Sequence, residues 1–510
     1  MLRLRDYQTE VIESLLDAMK RGVKSALVGL FTGAGKTVIF TALADRIEGR
    51  TLIIAPMREL VWQAAEKVRQ VTDSDPDIEM ADFVAERDYW PAKVVVASKQ
   101  TLLSSRQDEK RYRRFNGFSL VIVDEAHLQC SDPVLEMLRF FQSQGAMVVG
   151  FSATPFRMDG KPLREFYEEI VCNYDLQWAI ANGWSVPPIC KISKVESLDL
   201  SRVTLVGGDF NQSKLQAELN KEANLHRACM ICAEEMEGQT VLFAASVFAA
   251  QGACHFLKHN YGIQAVCVWG TMPDEERAEA LAAFKSKQAK VLVNCQVVAV
   301  GFDYPPTATL IMARPTRSRS FWLQCVGRAT RPLPGVVDFE GSTVQSRIAA
   351  IAASDKPHFK IVDCTSGTLD HTIITSVDMF VKSGDPAVKA EVKGAAEKAP
   401  LTPEELAELA AKAAEKIANA KLIEEMRRNT HGRGEGRIHG KDVDITWKGV
   451  RSVGTYNNPL KGKYAGFKLS ELPDHYVHWA AYNDKLNGWI KSMFRKELGR
   501  RHGREQRFVS

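Results

Sequence analysis

This chain has no apolar stretch of the ~18 residues that a bilayer span requires, and no long apolar run follows its opening Met1-Leu2-Arg3-Leu4-Arg5-Asp6. Neither a membrane partner nor a secretion signal is expected, so a cytoplasmic setting is the reading. A charge excess of one sign is also missing. Lys and Arg number 67 against 62 Asp and Glu, a formal net charge of +5. Bulk charge therefore does not mark a nucleic-acid binder, and local clusters must do so. Paired cysteines are absent too. Ten cysteines lie scattered among apolar neighbours, as expected for small hydrophobes in a reducing compartment. Cys229-Met230-Ile231-Cys232 has ligand spacing, but no second pair accompanies it, and a structural zinc needs four ligands. What the chain does have is length and apolar content. Its 510 residues, 45% of them hydrophobic, allow about three domains at ~150 residues each.

The most informative segment is Gly29-Leu30-Phe31-Thr32-Gly33-Ala34-Gly35-Lys36-Thr37. Ser25 to Leu30 reads as a buried strand, and Thr37 to Ile47 has helical character. Strand, glycine-rich turn and helix are the context of a phosphate loop. Thr32, Gly33, Ala34, Gly35, Lys36 and Thr37 are the expected nucleotide cradle. Backbone N–H groups there face the β-phosphate, Lys36 reaches the β/γ-phosphates, and Thr37 holds magnesium. Val121-Ile122-Val123-Asp124-Glu125 is a second apolar strand, ending in acids. Asp124 can hold magnesium, and Glu125 can align and deprotonate a water. His127 can couple the nucleotide site to a facing lobe. Further strands at 51–55, 94–97 and 147–151, with helical segments between, call for a mainly parallel sheet covered on both faces. Pro56 to Leu60 and Ser98 to Thr101 follow two strand ends and can hold backbone phosphates. Ordinary helix capping competes with that reading.

Strands at 240–244, 265–269, 290–294, 308–312 and 359–363 indicate a second α/β domain without a phosphate loop. The stretch from Gly160 to Gly183 is expected to hold the crossing connection and part of this second lobe. Gly301-Phe302-Asp303 follows Gln296 to Val300, and Asp303 can sense the ribose. In Gln324-Cys325-Val326-Gly327-Arg328-Ala329-Thr330-Arg331, Gln324 can orient local contacts. Arg328 and Arg331 lie three apart and are expected to share a helix face. Their planar forks suit γ-phosphate and transition-state charge.

Together with Tyr7-Gln8, Asp124-Glu125-Ala126-His127 and Ser152-Ala153-Thr154-Pro155, these segments resemble superfamily 2 DNA helicases and translocases with a DEAH box. The resemblance covers roughly residues 1–375. It implies two tandem RecA-like parallel-sheet lobes, over 1–160 and 161–378, that bind ATP and Mg2+ and hydrolyse ATP. By the same resemblance Gln8 would read adenine, with Arg5 and Tyr7 nearby, and Gly301 and Asp303 would face the nucleotide. Gly150 to Arg157 and Arg314-Pro315-Thr316 look like the bacterial and phage DNA-repair branch, with RadD-like proteins and restriction-enzyme helicase subunits. A bacterial or, for a phage protein, host cytoplasm follows. Phe31 replaces a proline or small residue often found in this loop. No nuclease motif appears, and the zinc-binding tail of some RadD-like proteins is missing. DNA in single-stranded, duplex or branched form is the implied partner, in replication, recombination or repair. Strand separation, translocation on duplex DNA and an ATP-switched recruitment module all stay open.

Residues 379–430 read as a helical connector, with Thr402 as cap and Pro403 at the first helical position. Residues 431–510 read as a small basic accessory domain that binds DNA or recruits a replication, recombination or nuclease partner. Trp479 and Trp489 are expected in its core. From Asp484 to Arg507, eight Lys/Arg stand against three acids, a local excess of +5, suited to phosphate contacts without base specificity.

Overall fold

A computed structural model describes residues 3–72, 74–85, 92–106, 108–153, 163–206, 209–295, 304–366, 374–430, 436–439, 444–447, 472, 474–482 and 488–505. Helix α1 (Asp6–Lys20) precedes strand β1 (Ser25–Leu30), which is buried at every position. The glycine turn then leads into α2 (Lys36–Arg46). Next come β2 (Arg50–Ala55), α3 (Arg58–Thr72), β3 (Asp77–Glu79), β4 (Val94–Ser98), β5 (Phe118–Val123), β6 (Met147–Ser152) and β7 (Glu169–Tyr174). These strands form one parallel seven-stranded sheet in the order β3-β4-β2-β5-β6-β1-β7. The inner strands are Val/Ile/Leu runs rather than alternations because helices cover both faces.

Register decides what meets at the strand ends. Gly29 of β1 stands opposite Ser152 of β6, and Val123 of β5 opposite Gly150. The carboxyl ends of β5, β6 and β1 therefore finish side by side, where open α/β sheets bind ligands. Gly150 has no room for a side chain, since a Cβ would lie 2.4 Å from the Tyr167 hydroxyl.

The first sheet does not stop near residue 160. Its edge strand β7 lies within Gly160 to Gly183, the stretch expected to join the second lobe. Its half-buried residues carry little apolar periodicity, which is why the sequence reads there as irregular.

The second sheet uses β8 (Pro188–Val195), β9 (Gln239–Phe243), β10 (Ala265–Trp269), β11 (Val291–Cys295) and β12 (Thr307–Met312). Helix α4 (Arg319–Val326) and β13 (Phe359–Ser366) follow. Its order is β8-β13-β12-β9-β11-β10, again all parallel. Cys229 and Cys232 lie in its apolar core with Leu242, Val291 and Ile311.

Helices α5 (Pro386–Lys398) and α6 (Pro403–Thr430) occupy the expected connector. Thr402 and Glu405 cap α6 reciprocally, at 3.2 and 2.8 Å. The chain divides into two compact units, Met1–Glu408 and Leu409–Ser510, so α5 belongs to the first. It buries Val388, Val392 and Ala396, pairs Lys393 with Asp378 at 2.9 Å, and precedes a bridge between Cys190 and Leu401.

In the second unit, α7 (Asp474–Tyr482) packs on α8 (Gly488–Glu505) through Val477, Ala480, Ala481, Ile490, Met493 and Phe494. Trp479 is not part of that core. It is 51% exposed, because Val477, Ala480 and Ala481 already define the packed face of α7. The Trp489 side chain lies outside the described residues. No described helix is long and apolar enough to cross a membrane.

Candidate active site

The phosphate loop is shaped by two left-handed glycines, Gly33 (φ 96°) and Gly35 (φ 76°). A Cβ on Gly35 would lie 2.8 Å from Gln8 Nε2, so side chains are excluded by crowding as well as by φ. Gln8 itself is fully engaged. Its Oε1 accepts from the Arg5 N–H at 3.0 Å, and its Nε2 donates to the Ala34 carbonyl at 2.9 Å. The Tyr7 hydroxyl donates to the same carbonyl at 2.7 Å. Tyr7 is therefore buried behind the loop, against Phe31, Trp178 and Trp184. Phe31 is explained by this cluster: it packs on Tyr7 and Trp178.

Lys36 opens α2, and its Nζ pairs with Glu125 Oε1 at 2.6 Å. Glu125 sits just beyond β5 in a left-handed conformation (φ 48°), which turns its carboxylate toward the loop. Burial opposes ionisation of Glu125, but Lys36, then His127 and Arg328, outweigh it and hold the pKa below its usual value. Asp124 shows the opposite balance. Burial and the adjacent Glu125 charge raise its pKa, and Lys36 only partly offsets them. Two acids one residue apart are thus pulled in opposite directions by their surroundings.

This arrangement fits a nucleotide with magnesium. Glu125 Oε2 is buried without a hydrogen-bond partner, an acceptor left over for a water. Asp124 and Thr37 are the residues that would hold the metal. Among the described residues there is no cluster of three or more His, Cys, Asp or Glu ligands.

His127 links the lobes. Its Nδ1 lies 3.0 Å from Ser152 Oγ, and its Nε2 lies 3.1 Å from Gln324 Nε2 of α4. With the Gln324 NH2 facing it, Nε2 must accept. The ring then carries its proton on Nδ1 and donates to Ser152. Burial keeps His127 neutral by lowering its pKa, with Glu125 pulling the other way. Gly327, after α4, rests on the phosphate loop, and a Cβ there would lie 2.2 Å from Thr32 Cβ. Gly327→Ala is expected to wedge the lobes apart and lower turnover about 10²-fold, the effect of a ~1 Å misplacement. Steady-state ATPase with a thermal melt checks this; a fall in turnover without a comparable loss of stability is expected.

Arg328 and Arg331 do not share a helix face. Helix α4 ends at Val326, and both arginines lie beyond it, Arg328 in a turn and Arg331 in the irregular stretch just before Pro332. Both nevertheless line the cleft, about 560 Å³, with Lys36, Thr37, Asp124, Glu125 and Gln324. Burial lowers the pKa of each arginine, so these are desolvated cations that an anion would relieve.

These turns are held by Lys356, whose Nζ donates to the carbonyls of Ala329 (2.7 Å), Arg331 (3.0 Å) and Pro305 (2.5 Å). Burial lowers its pKa to about 7. Between that value and ~10.4 the unfolded chain binds more protons than the folded one at this position, so its contribution to stability rises with pH. The penalty of burying the charge is fully present below about pH 7. Lys356→Met is therefore expected to cost turnover by loosening both arginines. The stability gap between wild type and variant should widen from acidic to alkaline pH in paired melts.

Gly301 and Asp303 lie outside the described residues, as do Thr154 and Pro155. With that geometry in place, comparison with known proteins is decisive. Residues 1–157 match the model of the type III restriction enzyme res subunit, and residues 220–332 match the helicase conserved C-terminal domain. Both lobes of the chain are thus similar to helicases of superfamily 2. IRC3 of Saccharomyces cerevisiae, named as an ATP-dependent helicase, is 31% identical over 353 residues, covering 64% of this chain and 49% of that protein. The DNA 3′-5′ translocase XPB2 of Sulfurisphaera tokodaii is 24% identical over 65% of this chain and 79% of its own. A fragment structure of a type I restriction enzyme HsdR subunit from Vibrio vulnificus shares the fold. Its TM-score is 0.50 at 20% identity, over 72% of this chain and 64% of that one. The chain thus spans about half the length of the yeast relative.

A second cleft of about 450 Å³ lies on the other side of the loop. It is lined by Arg5, Gln8, Trp184, Arg331 and the segment around Asp338. Arg5 is held by Asp338 of the second lobe at 2.8 and 2.9 Å and lies over Trp184. Lys356, Asp338 and Trp184 carry no motif signal. Their roles come from long-range packing, which spacing along the chain does not encode.

Proposed function

We propose that the chain is an ATP-dependent DNA helicase that couples ATP hydrolysis to movement along DNA. The observation that carries this reading is the cleft shared by Lys36, Thr37, Asp124 and Glu125 from one lobe and Gln324, Arg328 and Arg331 from the other. Lys36 exchanges its Glu125 partner for phosphate oxygens, which frees the carboxylate. Glu125 then orients a water and accepts its proton. Arg328 and Arg331 meet charge developing on the phosphate. Magnesium, when bound at Asp124 and Thr37, supplies charge neutralisation to the same phosphates. The His127–Gln324 contact makes nucleotide state felt by the second lobe, so alternating grip by the two lobes yields movement. The archaeal relative's name supports 3′-to-5′ translocation as the direction to test first.

The test is ATP turnover with single-stranded, duplex and forked DNA and with RNA. Stimulation by DNA is expected. No turnover on any of them would reject the enzyme. Fork unwinding would establish the helicase, whereas triplex displacement without strand separation would make the chain a duplex translocase. Replication, recombination or repair is the proposed setting.

The accessory unit is proposed to raise DNA affinity. A chain ending at Glu408 keeps α5 on the second lobe. It is expected to retain most turnover at saturating DNA but to bind DNA more weakly, with the largest difference at low salt. Equal half-saturation across a salt series would reject a DNA role for residues 409–510.

A further inference from the structure

Helix α7 has two faces. Val477, Ala480 and Ala481 pack on α8, whereas His475, His478, Trp479 and Tyr482 face solvent. Trp479 is 51% and Tyr482 56% exposed. Spacings of three and four residues place these rings along one side of the helix. Two of them pair, His478 lying 5.0 Å from Tyr482 centroid to centroid, and Trp479 lies 5.5 Å from Tyr476, which packs against the core. The small unit does not need them for its core, so an exposed aromatic edge marks a binding surface.

Charge beside this edge selects the partner. Arg495 of α8 donates from Nε to the Ala481 carbonyl at 2.9 Å and lies 5.3 Å from the Tyr482 ring centroid. A cation is thereby fixed at the end of the aromatic row. Helix α8 carries six Lys/Arg, with Arg500, Arg501 and Arg504 following Lys491, Arg495 and Lys496. Its acids are only Glu497 and Glu505, and Glu497 is fully buried. Rings for stacking next to cations for phosphates are the two components of single-strand recognition, whereas duplex DNA keeps its base faces stacked away.

We infer that the Trp479–Tyr482 edge of α7, flanked by α8, is a stacking platform for unpaired DNA bases. It rests on the proposed DNA function but places the contact in the accessory unit and commits it to single strands.

The test uses the full-length protein and a Trp479→Ala/Tyr482→Ala variant. Fluorescence anisotropy is read with oligo(dT), an abasic oligomer of equal length, and a duplex. The variant is expected to lose about tenfold or more in oligo(dT) affinity and to keep its duplex affinity. Wild type should bind the abasic oligomer as weakly as the variant binds oligo(dT). Lys491→Ala/Lys496→Ala should instead weaken single-stranded and duplex binding alike. It should also flatten the salt dependence by about one to two units of slope. Unchanged oligo(dT) affinity in the aromatic variant would overturn the platform and leave the edge to a protein partner. An equal loss on duplex, with an unchanged melt, would overturn base stacking as well. If wild type shows no ATP turnover yet binds oligo(dT) through these rings, the motor reading fails and the platform stands.

Discussion

Glu125→Gln should bind nucleotide and almost fail to turn it over, with a fall of about 10²–10⁴-fold, the usual contribution of a positioned base. The amide keeps the oxygen that faces Lys36 Nζ, now 2.6 Å from Glu125 Oε1, so the loop need not move. What it loses is the acceptor for the water proton. It also removes a charge that raises the Asp124 pKa. Asp124 therefore becomes more readily ionised, which favours the metal and sustains nucleotide affinity. Lys36→Ala should behave in the opposite way. It removes the leading influence that holds the Glu125 pKa down against burial, and it removes the phosphate ligand, so binding itself should fail. Equilibrium nucleotide binding beside single-turnover hydrolysis separates the two. Normal hydrolysis by Glu125→Gln would reject the base assignment.

Arg328→Ala carries the second large effect. A guanidinium aimed at the transferred phosphoryl group is worth about 10³–10⁵ in kcat. Arg328 lies near enough to Glu125 to lower the Glu125 pKa, so it reaches the same end of the cleft as the attacking water. Its loss should appear in kcat with little change in nucleotide affinity. Arg331 lines both clefts, and Arg331→Ala should therefore weaken binding and turnover together. Arg328→Lys should not restore activity, because an ammonium lacks the planar fork. If Arg328→Ala alters affinity alone, Arg328 is a binding group rather than a transition-state one.

Both effects depend on closure. On the cleft side the lobes meet through small groups, Gly327 against Thr32 and the Gln324 amide against the His127 ring, contacts suited to opening and closing at modest cost. Behind the loop they meet through the buried rings of Tyr7 and Trp184, 5.3 Å apart. The Arg5–Asp338 pair adds a further tie there. It is partly exposed, so its contribution is screened. The cleft lined by Arg5 and Gln8 is therefore a two-lobe structure as well.

The amino-acid sequence by itself determined the local chemistry of this protein. Strand, glycine turn and helix around Lys36 are short-range features, set by apolar runs and by glycine's access to positive φ. The acids at Asp124 and Glu125, past the end of an apolar strand, are legible for the same reason. Tertiary structure alone decided which groups meet and in what state. That β7 closes the first sheet, that Arg328 and Arg331 lie beyond α4, and that Lys356 ties the Ala329 and Arg331 carbonyls to that of Pro305 all depend on contacts between distant segments. The opposite pulls on the pKa values of Asp124 and Glu125 are of the same kind. Neighbours in sequence, they differ because burial and the position of Lys36 act on each carboxylate through space, over distances that only the folded chain sets.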